Sequence, residues 1–183
     1  EKGRVKVYGL HKAWGTYEPV TMPPTDFSPK FPDSAVLERR YDDQVNVLAK
    51  DRYDFLKKQH EGDLRKNGKD IDAQLQLGII EYQFGNRESA VTEFNKVLSL
   101  DPANASALNN LGSVAFLEGD NEEAEKRFTQ AAEADPEDAM IWLNLVKTSL
   151  RLKKLDKAKA MGEKAVALAP SYKPAVDSLI KGS

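Results

Sequence analysis

From residue 70 onward, large apolar, small and turn-forming positions recur along the chain at one fixed spacing. Leu77, Leu111 and Leu145 stand 34 residues apart, as do Ala90, Ala124 and Ala158, and Pro102, Pro136 and Pro170. Gly78 and Gly112 form a further column that breaks at Val146, and Phe94 and Phe128 one that breaks at Gly162. Within each period the pattern predicts two antiparallel helices. The glycines and alanines of these columns let the two helices approach, and the leucines and phenylalanines fill the seam between them. Asp70, Asn104 and Asp138 are N-cap residue types ahead of the first helix of each pair. Gly85 and Gly119 supply the permissive backbone that ends that helix before Asn86 or Asp120 opens the second. The three prolines fall in first turns or links, where no amide hydrogen is lost.

Outside this array the pattern changes. Over 33–70, Leu37, Tyr41, Val45, Leu48, Phe55 and Leu56 recur at roughly helical spacing up to Asn67-Gly68. This predicts one packing helix or two, whose apolar stripe covers the open face of the first period. Over 173–183, Val176, Leu179 and Ile180 share one face after Pro174 and predict a final capping helix. Residues 17–32 hold five of the nine prolines and cannot be a helix or a central strand. Tyr17, Val20, Met22, Phe27 and Phe31 make this extended segment too apolar for an ordinary linker, so it is expected to pack on helices of its own or a neighbouring molecule. Val5 and Val7, with Tyr8, suit a short strand that lacks partners in a helical module. Residues 1–32 are therefore read as an extended segment whose strand is either the end of an upstream domain or an edge that pairs with another chain.

The period and its residue types resemble the tetratricopeptide repeat family, with repeats at 71–104, 105–138 and 139–172. The resemblance implies an all-α fold, a right-handed helical solenoid of antiparallel helix pairs with a helical N-terminal cap. Departures are visible. The family's Trp column reads Gln74, Leu108 and Trp142, and its Tyr column reads Glu81, Ala115 and Ser149. Repeat three departs most, as suits a unit that ends an array against water.

In that family the first helix of each repeat lines a concave groove for a protein ligand. Carried over position by position, this implies Leu75, Gln76, Ile79 and Tyr82 from repeat one, and Asn109, Asn110, Ser113 and Phe116 from repeat two. Repeat three contributes Met140, Leu143, Asn144, Lys147 and Leu150, with Arg151 at the rim. Gln76, Asn110 and Asn144 form a column of amides able to donate to and accept from an extended backbone. Tyr82, Phe116 and Leu150 form an apolar column that serves either the groove or the packing between repeats. Some members clamp a C-terminal carboxylate with Lys, Arg and Asn. Here the clamp's basic positions hold Leu75, Met140 and Asn144, and only Asn110 fits, which disfavours that mode.

Composition narrows the function further. A net charge of −2 gives no basic field for nucleic acid, and no apolar run is long enough to span a membrane. The absence of cysteine removes thiolate catalysis, disulfides and zinc-thiolate sites. His11 and His60 stand far apart without carboxylates at ligand spacing, and no phosphate loop or nucleophile motif occurs. No cofactor, metal or catalytic residue is expected. Asn104-Ala105-Ser106 matches a glycosylation sequon, but its position explains Asn104 as a cap.

The array is also polar in charge: residues 105–138 carry nine acidic and two basic residues, and residues 139–183 carry three and nine. Glu122, Glu123 and Glu125 are expected to form one patch and Lys153, Lys154, Lys157 and Lys159 an opposite one, fit to draw chains together head to tail or to orient a charged partner. The leading expectation is a non-catalytic scaffold that binds a peptide or partner helix. The alternative is the assembly arm of a larger enzyme, motivated by a chain that opens on Glu1.

Overall fold

The computed structural model describes the backbone of residues 34–182 and the side chains of residues 47–182. The extended segment 17–32, the candidate strand and His11 lie outside the described residues. Eight α-helices follow one another among them: α1 (Ser34–Lys66), α2 (Ile71–Gln83), α3 (Arg87–Leu100), α4 (Ala105–Glu118), α5 (Asn121–Ala134), α6 (Ala139–Arg151), α7 (Leu155–Leu168) and α8 (Lys173–Lys181). The chain divides into two units between Leu48 and Ala49, within α1. All that follows concerns the second.

Helices α2 to α7 are three stacked pairs. Their links are too short for anything but antiparallel neighbours. The side chains of Asp70 and Asn104 accept the amides of Ala73 and Ala107 at 2.9 and 3.0 Å, and Asp138 accepts that of Met140 at 2.8 Å. Asn104 is therefore occupied as a cap, as its place in the repeat implied. Each first helix ends on one residue with positive φ: Gly85 at 83°, Gly119 at 85° and, one period on, Lys153 at 57°. A lysine there brings its Cβ too close to the next carbonyl, which glycine avoids. Lys153→Gly is expected to raise stability by about 0.5–1 kcal/mol, after subtracting the chain entropy glycine adds to the unfolded state. A urea midpoint that falls would overturn this.

The seam between paired helices rests on a small residue set against a large one. A Cβ added to Gly78 would lie 2.5 Å from the Phe94 ring, and one added to Gly112 would lie 2.7 Å from the Phe128 ring. Both rings are at most 2% exposed. In repeat three this relation reverses. Val146 is buried where the other repeats have glycine, and Gly162 stands where they have phenylalanine. The room that Gly162 leaves is filled by Val176 of α8, whose Cγ1 would be 2.6 Å from an added Cβ, with Ile180 Cδ1 at 3.7 Å. The broken columns are thus the seat of the capping helix rather than simple wear.

At the other end α1 packs with a face that keeps Leu56 of the expected stripe but leaves Phe55 outside. Phe55 is 69% exposed, while Tyr53, Leu56, Lys57, His60 and Leu64 are half-buried. The reason is a charged anchor. Glu81 of α2 is 4% exposed, and Tyr53 turns its hydroxyl and Lys57 its ammonium toward it. The side chains of Leu37, Tyr41 and Val45 lie outside the described residues.

Candidate functional site

Helix α4 contacts both α2 and α6, so the free sides of the three form one continuous surface. The fourteen residues that the sequence assigned to a groove are all at least partly exposed, in contrast to the buried Leu77, Leu111 and Leu145 on the same helices. Five of them meet in one place. Tyr82, Ser113, Phe116, Asn144 and Lys147 line a concavity of about 220 Å³, with Leu117 beside them and the buried Phe128 in its wall. Leu75, Ile79 and Tyr82 pack against the core of repeats one and two, and Phe116 against that of repeats two and three. The Tyr82–Phe116 column therefore serves packing and surface together.

The amide column is partly engaged. Asn144 Nδ2 donates to Asn109 Oδ1 at 3.0 Å, a bond between repeats, and Lys147 Nζ reaches Asn144 Oδ1 at 3.5 Å. Asn110 Nδ2 donates to the Ser106 carbonyl and Ser113 Oγ to the Asn109 carbonyl, both within α4. Gln76 is exposed. Arg151 lies over the Phe116 ring, 4.7 Å from its centroid, where the ring face attracts a cation. Met140 is 52% exposed, and Leu143 and Leu150 are half-buried.

A larger hollow of about 390 Å³ lies between α1, α2 and α3. Glu61, Arg65, Glu93 and Lys96 line it, charges of both signs, and Glu93 is already bonded to Gln74 and Lys96.

Sequence reasoning missed the Glu81 cluster. Glu81 accepts from Tyr53 Oη at 3.0 Å, from Lys57 Nζ at 2.8 Å and from Asn86 Nδ2 at 2.8 Å. Burial alone would raise its carboxyl, but bonds from Lys57, Asn86 and Tyr53 outweigh burial and hold it below the ordinary value. Hydrogen bonds to Glu81 and Tyr53 hold the Lys57 ammonium well above the ordinary lysine range, against burial. The available signal was a carboxylate standing in the family's Tyr column.

The expected opposite charge patches are not separate poles. Lys154 and Lys157 both bind Glu125, at 2.6 and 2.8 Å, and tie repeat three to repeat two. Glu123 pairs with Arg127 at 2.6 Å and with Lys126 at 3.3 Å. Short-range pairing within the chain engages Glu123, Glu125, Lys154 and Lys157, four of the seven charges that the sequence assigned to intermolecular use. Among the described residues no group of three His, Cys, Asp or Glu is placed to hold a metal, and no helix is long and apolar enough to cross a membrane.

Comparison with known proteins agrees with this architecture. A tetratricopeptide repeat family model matches residues 115–181, and a second model of the same repeat matches residues 78–118. No curated protein matches the chain. Among solved structures, PilF of Pseudomonas aeruginosa is similar at 27% identity and a TM-score of 0.64, over 74% of this chain and 62% of its own. YrrB, a tetratricopeptide protein with an unusual peptide-binding site, is similar at 22% identity and a TM-score of 0.58, over 61% of this chain and 57% of its own. The first tetratricopeptide domain of Spaghetti, bound to an HSP90 peptide, shares 22% identity and a TM-score of 0.57, over 61% of this chain and 88% of its own. The chain thus spans less than two thirds of PilF and YrrB, and the latter two likenesses speak for the fold alone. With three capped helix pairs, their small-against-large seams and a closing helix, the chain belongs to the tetratricopeptide repeat family of protein-interaction scaffolds.

Proposed function

We propose that the surface of α2, α4 and α6 holds an extended peptide or a partner helix, one side chain of which enters the concavity beside Phe116. One observation carries the reading. Residues from three different repeats converge on one hollow that mixes aromatic walls with hydrogen-bonding groups, the composition of a recognition pocket. YrrB and Spaghetti, which share the fold, engage peptides, and this supports the reading by analogy. No residue here is assigned a catalytic part.

The test fills the hollow without emptying the core. Ser113 is half-buried at its edge and bonds only within its own helix, so Ser113→Arg should occupy the space while the helical circular dichroism is kept. Partner capture is expected to fall at least about tenfold, the effect of losing roughly 1.4 kcal/mol of binding. Phe116→Ala should do the same at some cost to stability, because Phe116 also packs on the core. Full capture by a folded Ser113→Arg protein would remove this surface from consideration.

A further inference from the structure

We infer that the occupant of this surface is a bipartite segment, apolar where it lies on repeat one and acidic by its side chains where it lies on repeat three. The inference rests on the groove reading above and deepens it. None of the fourteen groove residues is acidic, although the chain has 29 acidic residues. The two charged ones, Lys147 and Arg151, are both basic and both come from α6. Repeat one contributes Leu75, Ile79 and Tyr82 with the neutral Gln76, and the exposed Asp72 stands in the column that holds Met140 in repeat three, so basic side chains are confined to the repeat-three end of the array.

The two cations are also uncommitted in charge. Among the described residues, neither Lys147 nor Arg151 belongs to an ion pair, in contrast to Lys154 and Lys157 of the same repeat, which both bind Glu125. The Lys147 ammonium donates at 3.5 Å to the Asn144 amide oxygen, and Arg151 rests on a ring face. A ligand carboxylate would meet cations whose interaction no acidic side chain already satisfies. Lys147 and Arg151 stand four residues apart on one helix face, about 6 Å along the axis. In an extended ligand that spacing suits alternate acidic side chains, which share a face about 6.6 Å apart, better than a single terminal carboxylate. The hollow between Tyr82 and Phe116 lies beside them and takes the apolar anchor.

Partly exposed charge pairs shift an equilibrium by up to about fivefold each, so two together set a preference on the order of tenfold. Fluorescence anisotropy of the full chain would use three short labelled peptides. The first has leucine and phenylalanine followed by aspartates and an amidated end. The second replaces the aspartates with lysines. The third replaces them with asparagines and leaves the terminal carboxylate free. The first is expected to bind about tenfold tighter than either of the others at low salt, with the gap closing as salt screens the charges. Lys147→Glu with Arg151→Glu should reverse the preference toward the lysine peptide, and the milder Lys147→Gln with Arg151→Gln should abolish it.

Equal binding of the first two peptides, lost in the bulky and neutral Ser113→Trp, overturns the acidic assignment and keeps the groove. Equal binding of the first and third overturns the choice of side-chain carboxylates. Binding that survives Ser113→Trp, which fills the hollow without adding a cation beside Lys147, or no binding of any peptide, overturns the groove reading and this inference with it.

Discussion

Phe128→Ala is expected to destabilise the protein by about 3–5 kcal/mol, the range for removing a fully buried aromatic side chain. The ring is 2% exposed and closes the seam of the central repeat, so both flanking repeats lose their support when it goes. A urea titration followed by circular dichroism should show the midpoint fall. The same seam gives a sharper test. Gly112→Ala would gain about 1 kcal/mol from helix propensity alone. Its new methyl, however, would stand 2.7 Å from the Phe128 ring, well inside normal carbon contact. Overpacking of this kind costs about 1–3 kcal/mol, so the net effect is expected to be destabilising. In the Phe128→Ala background the clash is absent, and Gly112→Ala should become stabilising. A Gly112→Ala effect with the same sign in both backgrounds would refute the packing account of the glycine column.

The Glu81 cluster supports the second large effect. Lys57→Met removes the cation while leaving a carboxylate whose side chain is 5% exposed. Breaking a buried pair costs about 3–5 kcal/mol, and because the Lys57 side chain is 36% exposed, solvent screening reduces this to about 2–3 kcal/mol. The pH dependence has a definite sign. In the native protein the folded carboxyl lies below its ordinary value of 4.5, so its contribution is present above that pH and lost as pH falls through the folded value. Without Lys57 its strongest lowering partner is gone while burial still opposes ionisation, so the Glu81 carboxyl should rise from its native position. The variant's deficit should then be largest at neutral pH and shrink on mild acidification. Amide exchange provides the readout, because a solenoid opens locally. Faster exchange is expected in α1 from residue 49 and in α2, with α4 to α7 unchanged. A deficit independent of pH, or one spread evenly over the array, would show that the pair does not anchor this end.

Much of the architecture could be read from local signals. Helix pairs, caps and turns depend on residues a few positions apart, and a 34-residue period repeats those signals three times, so chance agreement is small. Asp70, Asn104 and Asp138 cap helices because their side chains reach amides two or three residues on. Gly85 and Gly119 adopt positive φ because nothing else does so without strain. The groove residues were legible only through the family's geometry. Their exposure follows from helix periodicity, but the meeting of Tyr82, Ser113, Phe116, Asn144 and Lys147 depends on how far each repeat is rotated against the next.

What the sequence determined by itself is the repeat: which residues form helices, where the helices stop, and which faces are apolar enough to be buried. The tertiary structure decided the partners of the charges. Glu81 looked like a departure from the pattern until α1 brought Tyr53 and Lys57 to it, and Glu125 looked like part of an acidic patch until α7 brought Lys157, 32 residues later in the chain. It also decided that the face of α1 bearing Phe55 stays in water while the one bearing Tyr53 packs. The physical reason is common to these cases. Apolar burial and capping leave periodic or adjacent marks in a chain, whereas an ion pair needs only two groups within about 4 Å, whatever number of residues separates them.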